Sequence, residues 1–215
     1  MALSKVNFNS LNLTPTASKT VVFNSNNNGI EAGDVGGSMV LISEQTASSS
    51  ATISFTSGID STYKEYIFKF INIHPATNST KFQFNLSSDS GSNYNIAKTT
   101  TTFQSYHYEN DAEAILGYDT GDDEAQTTGF AEIAASGTGN GNDEHLTGTF
   151  HLFNPSSTTF AKHVISNVLT SGNALSHQTF MAGYGNTTSA IDAVQFKFAS
   201  GNIDSGTIKM YGVTS

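Results

Sequence analysis

Between Ile191 and Val213 apolar and polar side chains alternate one for one. Val194, Phe196 and Phe198 stand against Gln195 and Lys197, then Ile208 and Met210 against Thr207 and Lys209. A period of two puts successive side chains on opposite faces of an extended chain, so each run is a strand with one buried face. Between the runs, Ser200, Gly201 and Asn202, and then Asp204, Ser205 and Gly206, accept the positive φ of tight turns at little cost. This spacing predicts an antiparallel pair that closes a β-sandwich.

The same pattern recurs upstream. Met39 to Ser43 is a short apolar strand, Thr52 to Ser57 sets Ile53 and Phe55 against hydroxyls, and Phe82, Phe84 and Leu86 alternate with Lys81, Gln83 and Asn85. Tyr63 to Ile73 is apolar on both faces, with Tyr66, Phe68 and Phe70 on one and Ile67 and Ile71 on the other, which predicts a central strand stopped by His74 and Pro75. A threonine-rich strand runs from Tyr94 into Tyr108. Further strands fall at His145 to Phe153, with Leu146, Phe150 and Leu152 inward, and at Thr159 to Ile165 and Thr179 to Gly185. About ten antiparallel strands without a helix predict an all-β fold, a jelly-roll-like β-sandwich over residues 38–215. Residues 1–37 have only scattered apolar positions (Val6, Phe8, Leu11, Leu13, then Val21 to Phe23). They predict an extended N-terminal arm along a neighbouring subunit or, equally, a loose tail with one short strand near Val21.

Composition narrows the function. Charged residues make up 13% of the chain against about 25% in an ordinary globular protein, and the surface is instead rich in Ser, Thr and Asn. Fifteen Phe and eight Tyr at strand spacing argue for a real core rather than disorder. All nine basic residues are Lys and the net charge is -9, which disfavours nucleic acid as a partner, since phosphate neutralisation needs clustered cations. With no Cys, neither disulfides nor thiolate metal sites hold the fold. Met1 to Leu13 lacks a cationic segment followed by an apolar one, and no apolar run reaches the ~20 residues of a membrane helix. The expectation is a protein made in a cytosol that stays soluble, with no membrane insertion.

Residues 109–144 form a long excursion bearing ten acids and no Lys, with a possible strand at Phe130 to Ala135 and a Gly-rich tip at Gly137 to Asn142. Three kinds of site are weighed. His145 and His151 share a strand face and with His163 are candidate metal ligands, although histidines so placed are more often solvent-facing. Asp89 to Asn93 and Asp119 to Glu124 bring oxygen ligands near glycine as calcium loops do, but neither matches the twelve-residue loop, and a hairpin turn and a solvated loop are the simpler accounts. Tyr106, Tyr108, Tyr118 and Tyr184, in or near loops, suit a sugar ring or a core cap. There is no serine elbow, phosphate loop or cleft-borne carboxylate pair. The sequence therefore predicts no enzyme, no catalytic, cofactor-binding or metal residue, and no cofactor.

Three phrases carry a resemblance: YKEYIFKFINIHP (Tyr63 to Pro75), LFNPSSTTF (Leu152 to Phe160), and GYGNTTSAIDAVQFKF (Gly183 to Phe198) running on to GNIDSGTIKMYG (Gly201 to Gly212). Together they resemble virion-associated proteins of tailed bacteriophages, particularly marine ones, over Met39 to Val213. The motifs are strand and turn phrases, so the resemblance implies a structural or adhesive β-protein and transfers no functional residue. The expected function is a non-enzymatic structural protein on the virion exterior, a capsid decoration (cement) or knob subunit. The expected partners are major capsid or tail proteins and copies of itself, as a trimer or other closed oligomer. The alternative is a tail-fibre or receptor-binding module recognising host surface glycans.

Overall fold

The computed structural model describes residues 19–23, 30–34, 39–172 and 174–214. Contacts divide the chain into two units, Met1–Ser38 and Met39–Ser215. In the first, β1 (Lys19–Phe23) and β2 (Ile30–Asp34) pair antiparallel with Val21 opposite Ala32. The rest of the arm expected over 1–37 lies outside the described residues.

The second unit is built from β3 (Met39–Thr46), β4 (Ile53–Phe55), β5 (Glu65–Pro75), β6 (Phe82–Ser87), β7 (Lys98–Tyr108), β8 (Ala114–Tyr118) and β9 (Ala131–Glu132). It continues with β10 (Leu146–Phe153), β11 (Lys162–Gly172), β12 (Leu175–Gly185), β13 (Ala193–Phe198) and β14 (Ile203–Val213), and no helix occurs among the described residues. The strands form two antiparallel sheets. The wide one has eight strands in the order β3-β14-β5-β10-β11-β12-β7-β8, and the narrow one has four, β4-β13-β6-β9. This is an all-β antiparallel sandwich. Without β7, β8, β11 and β12, two four-strand layers remain, β3-β14-β5-β10 and β4-β13-β6-β9, and the chain passes repeatedly from one to the other. The hairpins β7–β8 and β11–β12 are insertions on that scheme. They zip together along Lys98↔Gly185 to Tyr108↔Leu175 and double the width of one layer.

The alternation near the C-terminus marks buried faces as expected, but β13 and β14 do not pair. β13 lies between β4 and β6 in the narrow sheet, and β14 between β3 and β5 in the wide one. The turn between them carries the chain across the sandwich, because each strand buries its apolar face from the opposite side of the same core. That core is a phenylalanine cluster centred on the fully buried Phe196. Its ring centroid lies 5.1 to 6.5 Å from those of Phe55, Phe68, Phe70, Phe82 and Phe150, mostly edge to face. β5 is internal to its sheet and runs on through His74 and Pro75. Asn72, at φ 51°, makes a bulge there, so that Ile71 points to solvent and Ile73 to the core.

The acidic excursion is not an open loop. It turns back as β8 beside β7, continues along the lower half of β7 through Asp119 N–H to Thr102 C=O (3.0 Å) and Thr100 N–H to Glu124 C=O (2.9 Å), and then crosses to β6 as β9. In doing so it covers the inner face of β7, β11 and β12, which the narrow sheet is too short to reach. That half of the interior sets buried polar groups among Val164, Val168 and Met181. Lys98, Thr100, Thr102, Asp122, Lys162, Ser166, Thr170, His177 and Thr179 are all buried.

Candidate docking face

The Lys98 ammonium, 1% exposed, donates to Asn85 Oδ1 (2.8 Å), Ile96 C=O (2.9 Å) and Gly129 C=O (2.6 Å). Burial pulls it down from 10.5 to about 8, and the nearby charge of Glu124 opposes that pull. Asn85 ties the same knot from β6, its Nδ2 donating to Tyr94, Thr128 and Gly129 carbonyls. Lys162 is caged likewise, its Nζ 2.6 Å from Phe160 C=O, and burial lowers its pKa too. Asp122 meets Lys81, yet its Oδ2 has no hydrogen-bond partner, and burial pushes its carboxyl up. Lys162 ties the Phe160 and Thr187 carbonyls beside its own strand, whereas Lys98 and Asn85 pin the excursion at the Thr128 and Gly129 carbonyls and Lys81 holds it at Asp122. They are anchors that tie the covering chain to the wide sheet.

The other side of those strands differs. The outward positions are Thr147, Thr149, His151 and Phe153 on β10, and His163, Ile165, Asn167, Leu169 and Ser171 on β11. On β12 they are Ser176, Gln178, Phe180, Ala182 and Tyr184, on β7 Thr99, Thr101, Phe103, Ser105 and His107, and on β8 Ala114, Leu116 and Tyr118. None of them is Asp, Glu or Lys. Phe103 and Phe180 stack with centroids 4.8 Å apart, and Ile165, Leu169, Phe103 and Leu116 are each about half exposed or more. An open depression of about 350 Å³ lies beside them, lined by Thr99, Thr101, His163, Ile165, Ala182 and Tyr184 among others. Five adjacent strands thus present a surface of aromatic, aliphatic, hydroxyl and amide groups without a formal charge, on a chain of net charge -9. Depletion of charge with enrichment of aromatics is the composition of an interface core.

The sequence candidates fall as follows. His151 and His163 are diagonal neighbours on this face, because His151 stands opposite Ile165, which sets their Cβ atoms about 7 Å apart. His145 is six positions from His151, about 20 Å along the strand, and no group of three or more metal-ligating side chains assembles among the described residues. The His151 Nδ1 is 2.7 Å from Glu65 Oε1. The Asp89 to Asn93 segment is a self-satisfied turn. Asp89 accepts from Asn93 N–H (2.8 Å), Asn93 Nδ2 (2.7 Å) and Ser87 Oγ (2.7 Å), and these bonds, those of Asn93 foremost, hold its pKa low. Asp119 is taken by Gln104 and Gly121 N–H, and Asp123 by the Tyr118 hydroxyl. Tyr106, Tyr108, Tyr118 and Tyr184 stand on strands rather than in loops, with Tyr118 and Tyr184 on the uncharged face and Tyr106 stacked on buried His177 at 5.7 Å. Residue order alone does not reveal the face, although it leaves one signal: between Glu144 and Asp192 the only charged residue is Lys162, and it points inward. A scan of protein families and a search of curated proteins find no match to this chain.

Proposed function

We propose that this protein is a non-enzymatic structural subunit of the exterior of a tailed-phage virion, a capsid decoration or knob protein that acts by docking sheet surface against other virion proteins. The observation that carries the reading is the uncharged five-strand face, which a solitary acidic protein has no reason to keep clear of charge. The resemblance of the three strand phrases supplies the virion context. The strand course, two four-strand layers that the chain crosses repeatedly with one layer widened, supports a jelly-roll-like reading, and jelly rolls recur in viral capsid and lectin domains. That support is analogy at the level of fold. The role asks of the protein rigidity and a surface, and the caged lysines beneath the inserted strands serve the first. On this reading the protein is made in the host cytoplasm and joins the particle afterwards.

The second reading, a tail module that recognises host glycans, is favoured by one observation. The depression beside Tyr184 offers an aromatic ring with hydroxyl and imidazole groups around it. Immunogold labelling of intact virions tests both. Gold over the head supports the decoration role, gold confined to the tail transfers the face to host recognition, and unlabelled particles refute both readings.

A further inference from the structure

The two inserted hairpins do more than thicken the sandwich, for they create the uncharged face. β11, β12, β7 and β8 are the strands that the two-layer scheme does not need, and with β10 they supply every outward position of the surface. We infer that the occupant of this face is a second copy of the same chain, packed sheet against sheet across a twofold axis that runs along the strands between β11 and β12. This inference rests on the reading of the face as a docking surface and names its partner.

Size agrees with the assignment. Five strands at about 4.8 Å and some nine residues at about 3.3 Å give a plane of roughly 700 Å². A standard specific interface uses about 800 Å² per partner. The narrow sheet covers nothing on this side, so the area is continuous.

Charge selects both the partner and the axis. The face holds no ion to answer a charged partner, so the matching surface must itself be free of formal charge at its centre, and the described residues form one such surface. The register row Lys69, Thr149, Asn167, Phe180, Phe103, Tyr118 crosses β5, β10, β11, β12, β7 and β8. At the far end of the row, the Tyr118 hydroxyl holds Asp123 at 2.6 Å. At the near end, Lys69 sits over the Tyr211 ring, 5.3 Å from its centroid, and has no ion-pair partner among the described residues. A twofold axis between β11 and β12 lays β5 of one copy over β8 of the other. Lys69 then meets Tyr118 and Asp123 of the second copy, twice per pair, while Asn167 faces Phe180 and Thr149 faces Phe103. An axis across the strands would set Lys69 against Lys69. The product is a closed pair with like patch on like patch, as an isologous interface requires. Such a pair is one of the closed oligomers expected from the resemblance, a dimer where a trimer was the first expectation.

Sedimentation velocity on the full chain, over a concentration series, is the test. The wild type is expected to sediment as a dimer. Ile165→Lys, at the half-exposed centre of the face, is expected to weaken the pair by ~30-fold or more, with the circular dichroism spectrum unchanged. Lys69→Glu and Asp123→Lys, each alone, are expected to weaken it about two- to fivefold, and the double exchange to restore it. A chain that stays monomeric at the highest concentration overturns the inference, as does a dimer indifferent to Ile165→Lys. So does a monomer that instead binds a capsid protein or a host glycan through this face. The charge exchange decides the axis, because a dimer lost in Ile165→Lys but not restored by the double exchange is paired some other way and refutes the twofold between β11 and β12. Failure of virion labelling with an intact dimer would remove the virion role and leave the pairing, whereas labelled virions with a monomeric chain would do the reverse.

Discussion

Lys98 should make this protein more stable as the solution turns alkaline. Its ammonium is buried among Asn85 Oδ1 and two backbone carbonyls, with a pKa of about 8 in place of 10.5. The native state releases the proton near pH 8, while the unfolded chain keeps it to about pH 10.5. Between those values the unfolded state binds more protons, so stability rises with pH. The gap between the two pKa values corresponds to about 3 kcal/mol, of which about 2.5 kcal/mol is recovered between pH 7 and pH 10. Lys162, also lowered by burial, acts in the same direction, and Tyr66, raised by burial, opposes it only above its unfolded value of 10. The assay is therefore a difference. Urea unfolding of wild type and Lys98→Met is followed from pH 7 to pH 10, with no thiol chemistry to interfere, since the chain has no Cys. The stability of wild type relative to the variant should rise by about 2.5 kcal/mol across that range. A constant difference would refute the reasoning and mean that the three oxygens stabilise the ammonium as well as water does.

Other perturbations probe separate parts of the fold. Phe196→Ala, at the centre of the phenylalanine cluster, should cost about 3 to 5 kcal/mol in urea unfolding; a loss below ~1 kcal/mol would mean the cluster closes over the cavity. Gly206 has φ 115°, and a Cβ there would lie 2.4 Å from Asn72 C=O across the bulge of β14 on β5. Gly206→Ala should thus cost about 1 to 3 kcal/mol of stability through strain and so lower the melting temperature, without changing the far-ultraviolet spectrum. Asp122 has its pKa raised by burial, so the native state favours the protonated form and wild type loses stability as pH rises from 3.8 through the folded value. Asp122→Asn should flatten that fall, and an unchanged acid-side profile would place the titration elsewhere.

Alternation made most of the strands legible, because burying one face of an extended chain leaves a local trace. Phe82, Phe84 and Leu86, or Leu146, Phe150 and Leu152, need no knowledge of their partners to be read as inward. The same trace says nothing about which sheet a strand joins. Phe196 on β13 and Ile208 on β14 reach one core from opposite layers, and their short connection looks like a hairpin. β8 escaped notice because Ala114, Ile115 and Leu116 run consecutively at a sheet edge and do not alternate. Lys98 begins a run of four threonines that reads as a wetted surface. Its burial depends on carbonyls supplied by Gly129, thirty-one positions away, and local composition does not register a partner at that distance.

The misplaced charges explain one another. A wide sheet facing a narrow one leaves half of its inner face uncovered, and here a single traverse of irregular chain closes it. Irregular backbone brings carbonyl and N–H groups that must be satisfied wherever they are buried. Lysines and threonines on the covered strands, with Asn85 on β6, answer that need better than leucines would, and so the interior beneath the insertions keeps polar groups among its apolar ones. The outer face of the same strands is then free to shed its ions, because solubility is secured by the acids along the excursion and the rim. Charge is absent from the outer face of these strands and present in the interior that must be tied down. Making the outer face ordinary, by charging it at Ile165, should leave Lys98 and its cage untouched. Opening the cage at Asn85 should loosen the strands above it and weaken any assembly built on their outer face. A variant set in which Asn85→Ala reduces pairing while the face residues are all intact would tie the two halves of the design together.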